Sequence, residues 1–264
     1  MAEKTDLIER YVTSIDWLRD LFSDMDKVGD LDPLLGIADW DDACCVEFGK
    51  KKLVASVDGP YCARIAFRSA LIHASTDVVV KGGKPLFALD TLMGEREEVE
   101  EMAESLKRQA LSLEIPILGG NTKFEDVEPQ VTVTVIGELI VNEPIRDDGA
   151  KKGDLVCVLG EPIWGEEDDR IEKAKKLFSC WFEILKNGIK INAAKDVTKG
   201  GLVSVVYEME TKSKKKILLK EKIPFSLTRN LDNFILCVEK EEFEKIKKVC
   251  EKRKIKLEEI GEVE

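Results

Sequence analysis

The chain has 264 residues, 44 % of them hydrophobic, enough for one large or two modest domains with a buried core. Its formal net charge of −11 argues against nucleic-acid phosphates or anionic membranes as partners, and a phosphorylated ligand would need a cation to screen it. No apolar run approaches the ~18 residues of a membrane span, and the opening Met1-Ala-Glu-Lys-Thr-Asp6 is too charged for a signal peptide.

Residues 6–23 place Leu7, Tyr11, Ile15, Leu18 and Phe22 at helical spacing on one face. Asp30, Asp32 and Pro33 break that pattern. Two strand-like runs, Ala43–Phe48 and Leu53–Val57, flank a turn at Gly49-Lys-Lys-Lys52. A helix is expected from about Arg64 to Val80, stopped by Lys81-Gly82-Gly83-Lys84-Pro85, where glycine caps the helix and proline blocks its continuation. Pro85–Met93 reads as a strand, and Glu95–Leu113 as an amphipathic helix with acidic residues in its first turn, as the helix dipole favours. Ile115–Leu118 is a short buried strand ending in Gly119-Gly120, and Val131–Ile136 is β-branched at every position, hence a strand. Pro144, Asp147, Asp148 and Gly149 mark a boundary, dividing the chain into residues 1–142 and 143–264. The second part offers a strand at Leu155–Leu159, helices around Asp168–Lys186 and Gly201–Glu210, strands near 216–220 and 233–238, a helix over 241–253 and a strand over 256–263. The basic run Lys212-Ser-Lys-Lys-Lys216 between helix and strand reads as a solvated turn. This order predicts an α+β class, with helices on one face of a sheet.

Seven cysteines are present without a Cys-x-x-Cys pair, and Cys44 and Cys45 are adjacent. Cys62, Cys157, Cys180, Cys237 and Cys250 are scattered, several within apolar patterns, which predicts buried thiols in a reducing, cytoplasmic setting. His73 is the only histidine, too few for a zinc site without paired cysteines. It lies one helical turn before Asp77, where it could orient that carboxylate or a substrate, or equally serve as a core histidine bonded to backbone.

Aspartates fall at the ends of apolar elements. Asp41 and Asp42 precede the first strand, and Asp58 ends the second in Ser56-Val-Asp-Gly-Pro60. If those strands form a hairpin, the three meet at one end of the sheet. Asp77 lies within an apolar helix, in Ser75-Thr-Asp-Val-Val-Val80. Gathered carboxylates repel one another unless a cation binds, and hard oxygen ligands suit Mg²⁺ bridged to phosphate. Each residue alone also fits a bland role: turn residues for Asp41, Asp42 and Asp58, a helix-surface residue for Asp77. Gly119-Gly120-Asn121-Thr122 lets backbone amides approach a ligand, or is a plain turn. Asp196-Val-Thr-Lys-Gly-Gly-Leu202 opens a helix, offering amides to an anion or simply a helix cap.

Taken in order, these segments resemble the aminoimidazole ribonucleotide synthetase (PurM)-like superfamily, which includes thiamine-monophosphate kinase, selenophosphate synthetase and HypE. Trp40-Asp-Asp-Ala-Cys-Cys45 is similar to its Gly-Asp-Asp-Ala-Ala motif, with Trp40 in place of glycine. Val57-Asp-Gly59, Ser75–Pro85, Leu118-Gly-Gly-Asn-Thr122, Gly149-Ala-Lys-Lys-Gly-Asp154 and Asp196–Leu202 resemble its later motifs, and Ile260-Gly-Glu-Val263 its closing strand. The resemblance spans roughly residue 36 to the end. It implies two α+β domains, the N-terminal sheet forming a barrel-like interface in a homodimer, with ATP in clefts along it. By match, Asp41, Asp42, Asp58 and Asp77 would hold Mg²⁺ on the phosphates, with Asp42, Asp58 and Asp77 as metal ligands and Asp196 reaching across from the second domain. Gly119, Gly120, Asn121 and Thr122 would contact the nucleotide, and Asp77 and Asp196 would carry the catalytic role.

Asn121 replaces the acid of the family's Gly-Gly-Asp/Glu-Thr motif. The second domain is short for the family, and neither a Cys-containing Gly-rich N-terminal segment nor a C-terminal cysteine tail is expected. The resemblance implies ATP-dependent phosphoryl transfer to a small-molecule acceptor; the alternative is a nucleotide-binding accessory module without turnover. Lys81 or Lys84 could offset transition-state charge, or both are ordinary helix-end lysines.

Overall fold

The computed structural model describes residues 2–28 and 32–264; the break expected at Asp30 lies outside them. Two five-stranded sheets carry the architecture, and neither closes into a barrel. The first contains β1 (Cys44–Phe48), β2 (Lys51–Cys62), β3 (Gly83–Gly94), β4 (Ile117–Phe124) and β5 (Gln130–Leu139), in the order β1-β2-β5-β3-β4. Only β3 and β4 run parallel in it. The second contains β6 (Leu155–Leu159), β7 (Ala193–Asp196), β8 (Ile217–Leu219), β9 (Phe234–Val238) and β10 (Leu257–Val263), in the order β7-β9-β6-β10-β8.

Period-two alternation decides which side of the first sheet is core. Along β5, Val131, Val133 and Val135 face inward, and the β-branched residues between them face out. On β2, Val54 and Ser56 point the same way as that core. Against it lies α4 (Ala70–Val80), buried at every position and apolar enough on all sides to be enclosed. The helix expected over residues 64–80 is in fact α3 (Ala63–Ala66) and α4, separated by a turn. The amphipathic α5 (Arg96–Leu113) covers the rest of that face, and the Glu98 carboxylate accepts the Glu95 N–H at its start.

The second sheet supports α6 (Glu167–Lys186), α7 (Gly201–Ser213) and α8 (Lys240–Arg253). The single N-terminal helix expected over 6–23 is broken into α1 (Ala2–Tyr11) and α2 (Asp16–Phe22) by a 3₁₀ turn at Thr13–Ile15. Its β-branched residues Val12, Thr13 and Ile15 disfavour an uninterrupted α-helix.

The two sheets are joined through α4. Trp181 of α6 is fully buried, donates its indole N–H to the Val79 carbonyl at 2.6 Å and meets the Phe234 ring edge-on at 5.5 Å. Arg170 of α6 reaches Ser69 Oγ at 3.0 Å. One core cluster accordingly contains Ile72, Val79 and Val80 of α4 together with α6, β6 and β9 residues. Trp181→Ala should therefore cost about 3–5 kcal/mol, read as a lower denaturant midpoint; an unchanged midpoint would mean that this packing does not join the layers.

Candidate functional site

The site assembles where the start of β1, the end of β2, the C-terminal half of α4 and the edge strand β7 converge. Ser56 and Asp58 are two apart on β2 and so point to the same, α4-facing side. Ser56 Oγ donates to Asp77 Oδ2 at 2.7 Å. Thr76 Oγ1, beside Asp77, donates to Asp196 Oδ2 at 3.0 Å, bringing in the second sheet. Gly59, with φ +123°, lies at the register shift between Asp58 and Tyr61; a Cβ there would stand 2.8 Å from the Val131 carbonyl oxygen.

Two electrostatically opposite groups result. At one end Asp41, Asp42 and Asp147 have ligand oxygens within 4.8 Å of one another, the acidic trio among the described residues tight enough to share an ion. Lysines already hold it. The fully buried Lys81 Nζ lies 2.5 Å from Asp41, 3.1 Å from Asp42 and 2.7 Å from the Ala194 carbonyl. Lys195 Nζ bonds Asp42 and lies 3.2 Å from Glu208, and Lys212 Nζ lies 2.7 Å from Asp147. Burial opposes the Asp42 charge, but Lys195 and Lys81 outweigh it and hold the carboxyl well below its usual range. Burial likewise opposes the Lys195 charge, yet Asp42 and Glu208 hold its pKa well above normal.

At the other end the balance reverses. Asp77 is raised well above the carboxylate range, first by burial and then by the charges of Asp196, Asp58 and Asp42. Asp196 is pushed to about 8 by burial and by Asp42, against the pull of Lys195. Asp58 is raised by burial despite His73 nearby, and its Oδ2 accepts from the Tyr61 hydroxyl. His73 Nδ1 is 2.9 Å from Asp232, both side chains buried. Burial alone would lower the His73 pKa; Asp232, Asp58 and Asp196 raise it. Asp77 is raised by Asp196 and Asp58 as well as by burial, an imbalance a divalent cation would relieve. Although their ligand oxygens do not all lie within 4.8 Å of one another, Asp58, Asp77 and Asp196 thus suit Mg²⁺ by charge and hard-oxygen chemistry. The Asp41–Asp42 end, already matched by ammonium groups, does not.

The expected ligand set Asp42, Asp58 and Asp77 therefore does not close around one point as tightly as Asp41, Asp42 and Asp147 do. Gly119, Gly120, Asn121 and Thr122 lie within β4 as exposed strand residues, not in a loop after it. One register row runs Asp58, Val133, Asp90, Gly120, so the glycine strand is three strand spacings, about 14 Å, from Asp58 within the chain. Lys81 is a buried ion-pair partner, not an ordinary helix-end lysine, and Lys212 belongs to the site, not to a solvated turn. His73 pairs with a carboxylate and not with backbone. Lys195, Glu208 and Asp232 are not singled out by the sequence, and Asp147 only as a boundary residue; all four become visible as site residues only when distant segments meet. Lys195, adjacent to Asp196 in a strand of otherwise buried residues, carried the one local signal, a charge where the pattern asks for an apolar side chain.

Between about pH 4 and pH 8 folded Asp196 keeps a proton that the unfolded chain has released, so its contribution to stability falls as pH rises. Asp77 acts in the same direction, as does His73, whose stabilisation is lost as pH rises through its raised value. The metal-free chain should melt at a lower temperature at pH 8 than at pH 5, and Asp196→Asn should flatten that slope; melts in chelating buffer that show no slope would contradict this charge distribution.

The N-terminal domain model of AIR synthase related proteins matches residues 40–139, and the C-terminal domain model matches residues 166–264. The uncharacterized protein MJ0799 of Methanocaldococcus jannaschii is 42 % identical over 223 residues, 83 % of this chain and 74 % of that protein. A selenide, water dikinase of Clostridium botulinum is 26 % identical over 78 % of this chain, which spans 66 % of that enzyme's length. The structure of AaThiL complexed with AMPPCP and TMP shares the fold, with a TM-score of 0.67 at 22 % identity over 94 % of this chain and 89 % of that one. With both domain models matched in order and a relative of this identity covered over most of its length, the chain belongs to the AIR synthase related family of the PurM-like superfamily.

Proposed function

We propose that this protein binds ATP with Mg²⁺ and transfers a phosphoryl group to a small-molecule acceptor. One observation carries the reading: Asp58, Asp77 and Asp196 come from β2, α4 and β7 into one region of the interface, where burial first and neighbouring carboxylates second raise the pKa of Asp77 and Asp196. A net charge of −11 makes a bare polyphosphate an unfavourable ligand and the metal complex a favourable one. The similarity to a selenide, water dikinase and the fold shared with a protein crystallised with AMPPCP point the same way.

When bound, Mg²⁺ supplies charge neutralisation on the phosphate oxygens. Ser56 fixes the orientation of Asp77 through Oδ2, and Thr76 fixes Asp196. Gly200 and Gly201, at φ +81° and +63°, turn the chain tightly into α7, where a Cβ on Gly201 would meet the Leu227 and Arg229 carbonyls at 2.7 Å. At that turn the Gly201 and Val203 N–H groups donate to the Thr198 and Leu227 carbonyls, which fixes the start of α7 beside Asp196.

A homodimer supports the same reading. Phe48, Val57 and Leu118 are 65–70 % exposed on the first sheet, an apolar surface that water leaves poorly satisfied. A second copy covering that face could bring its own Gly119–Thr122 strand towards the carboxylates that lie about 14 Å away within one chain. We take residues 1–142 to carry the nucleotide and the dimer face, and residues 143–264 to supply Asp196. Free thiols at all seven cysteines accord with a cytoplasmic location.

A second reading, a nucleotide-binding module without turnover, is favoured by Asn121, which withholds a carboxylate from β4. Calorimetry with a non-hydrolysable ATP analogue should show Mg²⁺-dependent binding that Asp77→Asn weakens roughly tenfold or more; binding indifferent to Mg²⁺ and to the variant would sink the proposal. A large gain of ATP hydrolysis in Asn121→Asp would instead identify a degenerate site and favour the second reading. Val57→Asp should convert a dimer to a monomer in sedimentation velocity, and an unaltered dimer would place the interface elsewhere.

A further inference from the structure

The trio Asp41, Asp42 and Asp147 has the separation of an ion site, and yet lysine ammonium groups already stand on its oxygens. Counting Glu208, four carboxylates face the three ammonium groups of Lys81, Lys195 and Lys212. Neither of the two central lysines is a loose surface chain. Lys81 is fully buried at the end of α4 and bonds three oxygens, one of them the Ala194 backbone carbonyl. Lys195 is buried on β7 and touches Asp42, Glu208 at 3.2 Å and Asp147 at 3.7 Å. A divalent ion on Asp42 would have to sit beside both ammonium groups, or expel them from partners they cannot replace.

We infer that Lys81 and Lys195 are built-in counter-cations: their ammonium groups occupy the place of a metal on Asp41 and Asp42, and the divalent ion is confined to Asp58, Asp77 and Asp196. The inference rests on the metal–nucleotide reading above and deepens it. It reassigns Asp42 from metal ligand to lysine partner, a positioning residue that fixes Lys195 next to Asp196. It also makes the two sides of the phosphate site chemically unlike, one carrying a fixed cation and the other an exchangeable one.

Mn²⁺ titrations followed by electron paramagnetic resonance test this, on the full chain with a non-hydrolysable ATP analogue. Lys195→Met exposes Asp42 and should bind one more Mn²⁺ per chain than the wild type. Asp42→Asn should leave the number of Mn²⁺ ions bound per chain at the wild-type value, whereas Asp77→Asn should weaken Mn²⁺ affinity roughly tenfold or more. The charge-balanced double variant Lys195→Met/Asp42→Asn keeps the test open if the single lysine variant fails to fold, and it should return the wild-type count. An unchanged count in Lys195→Met, or loss of a bound Mn²⁺ in Asp42→Asn or in the double variant, would overturn the inference while leaving the nucleotide reading intact. Absence of Mn²⁺ binding by the wild type and by every variant would overturn both.

Discussion

The buried ammonium group of Lys81 is the interaction on which the arrangement of the site depends. A lysine without solvent is among the least favourable groups to enclose, and burial alone would strip its proton. Asp41 and Asp42 outweigh that tendency and keep it charged. Its place at the C-terminal end of α4 adds the favourable end of the helix dipole. Because the same nitrogen also bonds the Ala194 carbonyl, one charge ties the entry to β1, the end of α4 and strand β7 together.

That tie sets the relation between the two sheets at the point where chemistry is expected. Lys195 and Asp196 are neighbours on β7, so fixing Ala194 fixes both. Lys195 then closes the Asp42 end, while Asp196 is carried against Thr76 and into the field of Asp77. The carboxylates thus divide into a group ion-paired with lysines and a group, Asp58, Asp77 and Asp196, that the proposed divalent cation would serve. The linker is bound into the same network: the Asp41 carboxylate accepts the Asp147 N–H at 3.1 Å, and Asp147 in turn accepts from Lys212.

Much of the fold was legible because it is locally encoded. The unbroken β-branched run at Val131–Ile136 could only be a strand, and the apolar sequence of α4 with its Gly-Gly-Lys-Pro exit could only be an enclosed helix. Asp77 was legible as a charge within an apolar helix, Asp58 as one at a strand end and Asp196 as the opening of a helix, whereas strand β7, which carries Asp196, was not. Trp40 is instructive: it stands where the family motif has glycine, and its φ of +50° retains the left-handed backbone that glycine would favour, with the Arg19 guanidinium 5.0 Å from its ring. The lysines were not legible as site residues. Lys81 meets Ala194 across 113 positions and Lys195 meets Asp42 across 153, and no local periodicity encodes such pairings. Strand β4 was misjudged at its end because glycine and asparagine read as a turn, while parallel pairing with Thr91 and Leu92 of β3 extends it through Asn121 and Thr122.

On the proposed reading, a divalent cation meets the nucleotide at the open end of this interdomain acidic array. Crystals of the protein grown with Mn²⁺ and a non-hydrolysable ATP analogue, measured at the manganese absorption edge, test it most directly. An anomalous peak is expected within coordination distance of Asp58, Asp77 and Asp196, with the analogue's phosphates beside it and Lys195 still on Asp42. A peak between Asp41, Asp42 and Asp147 with the lysines displaced, or nucleotide bound with no metal at these carboxylates, would contradict it.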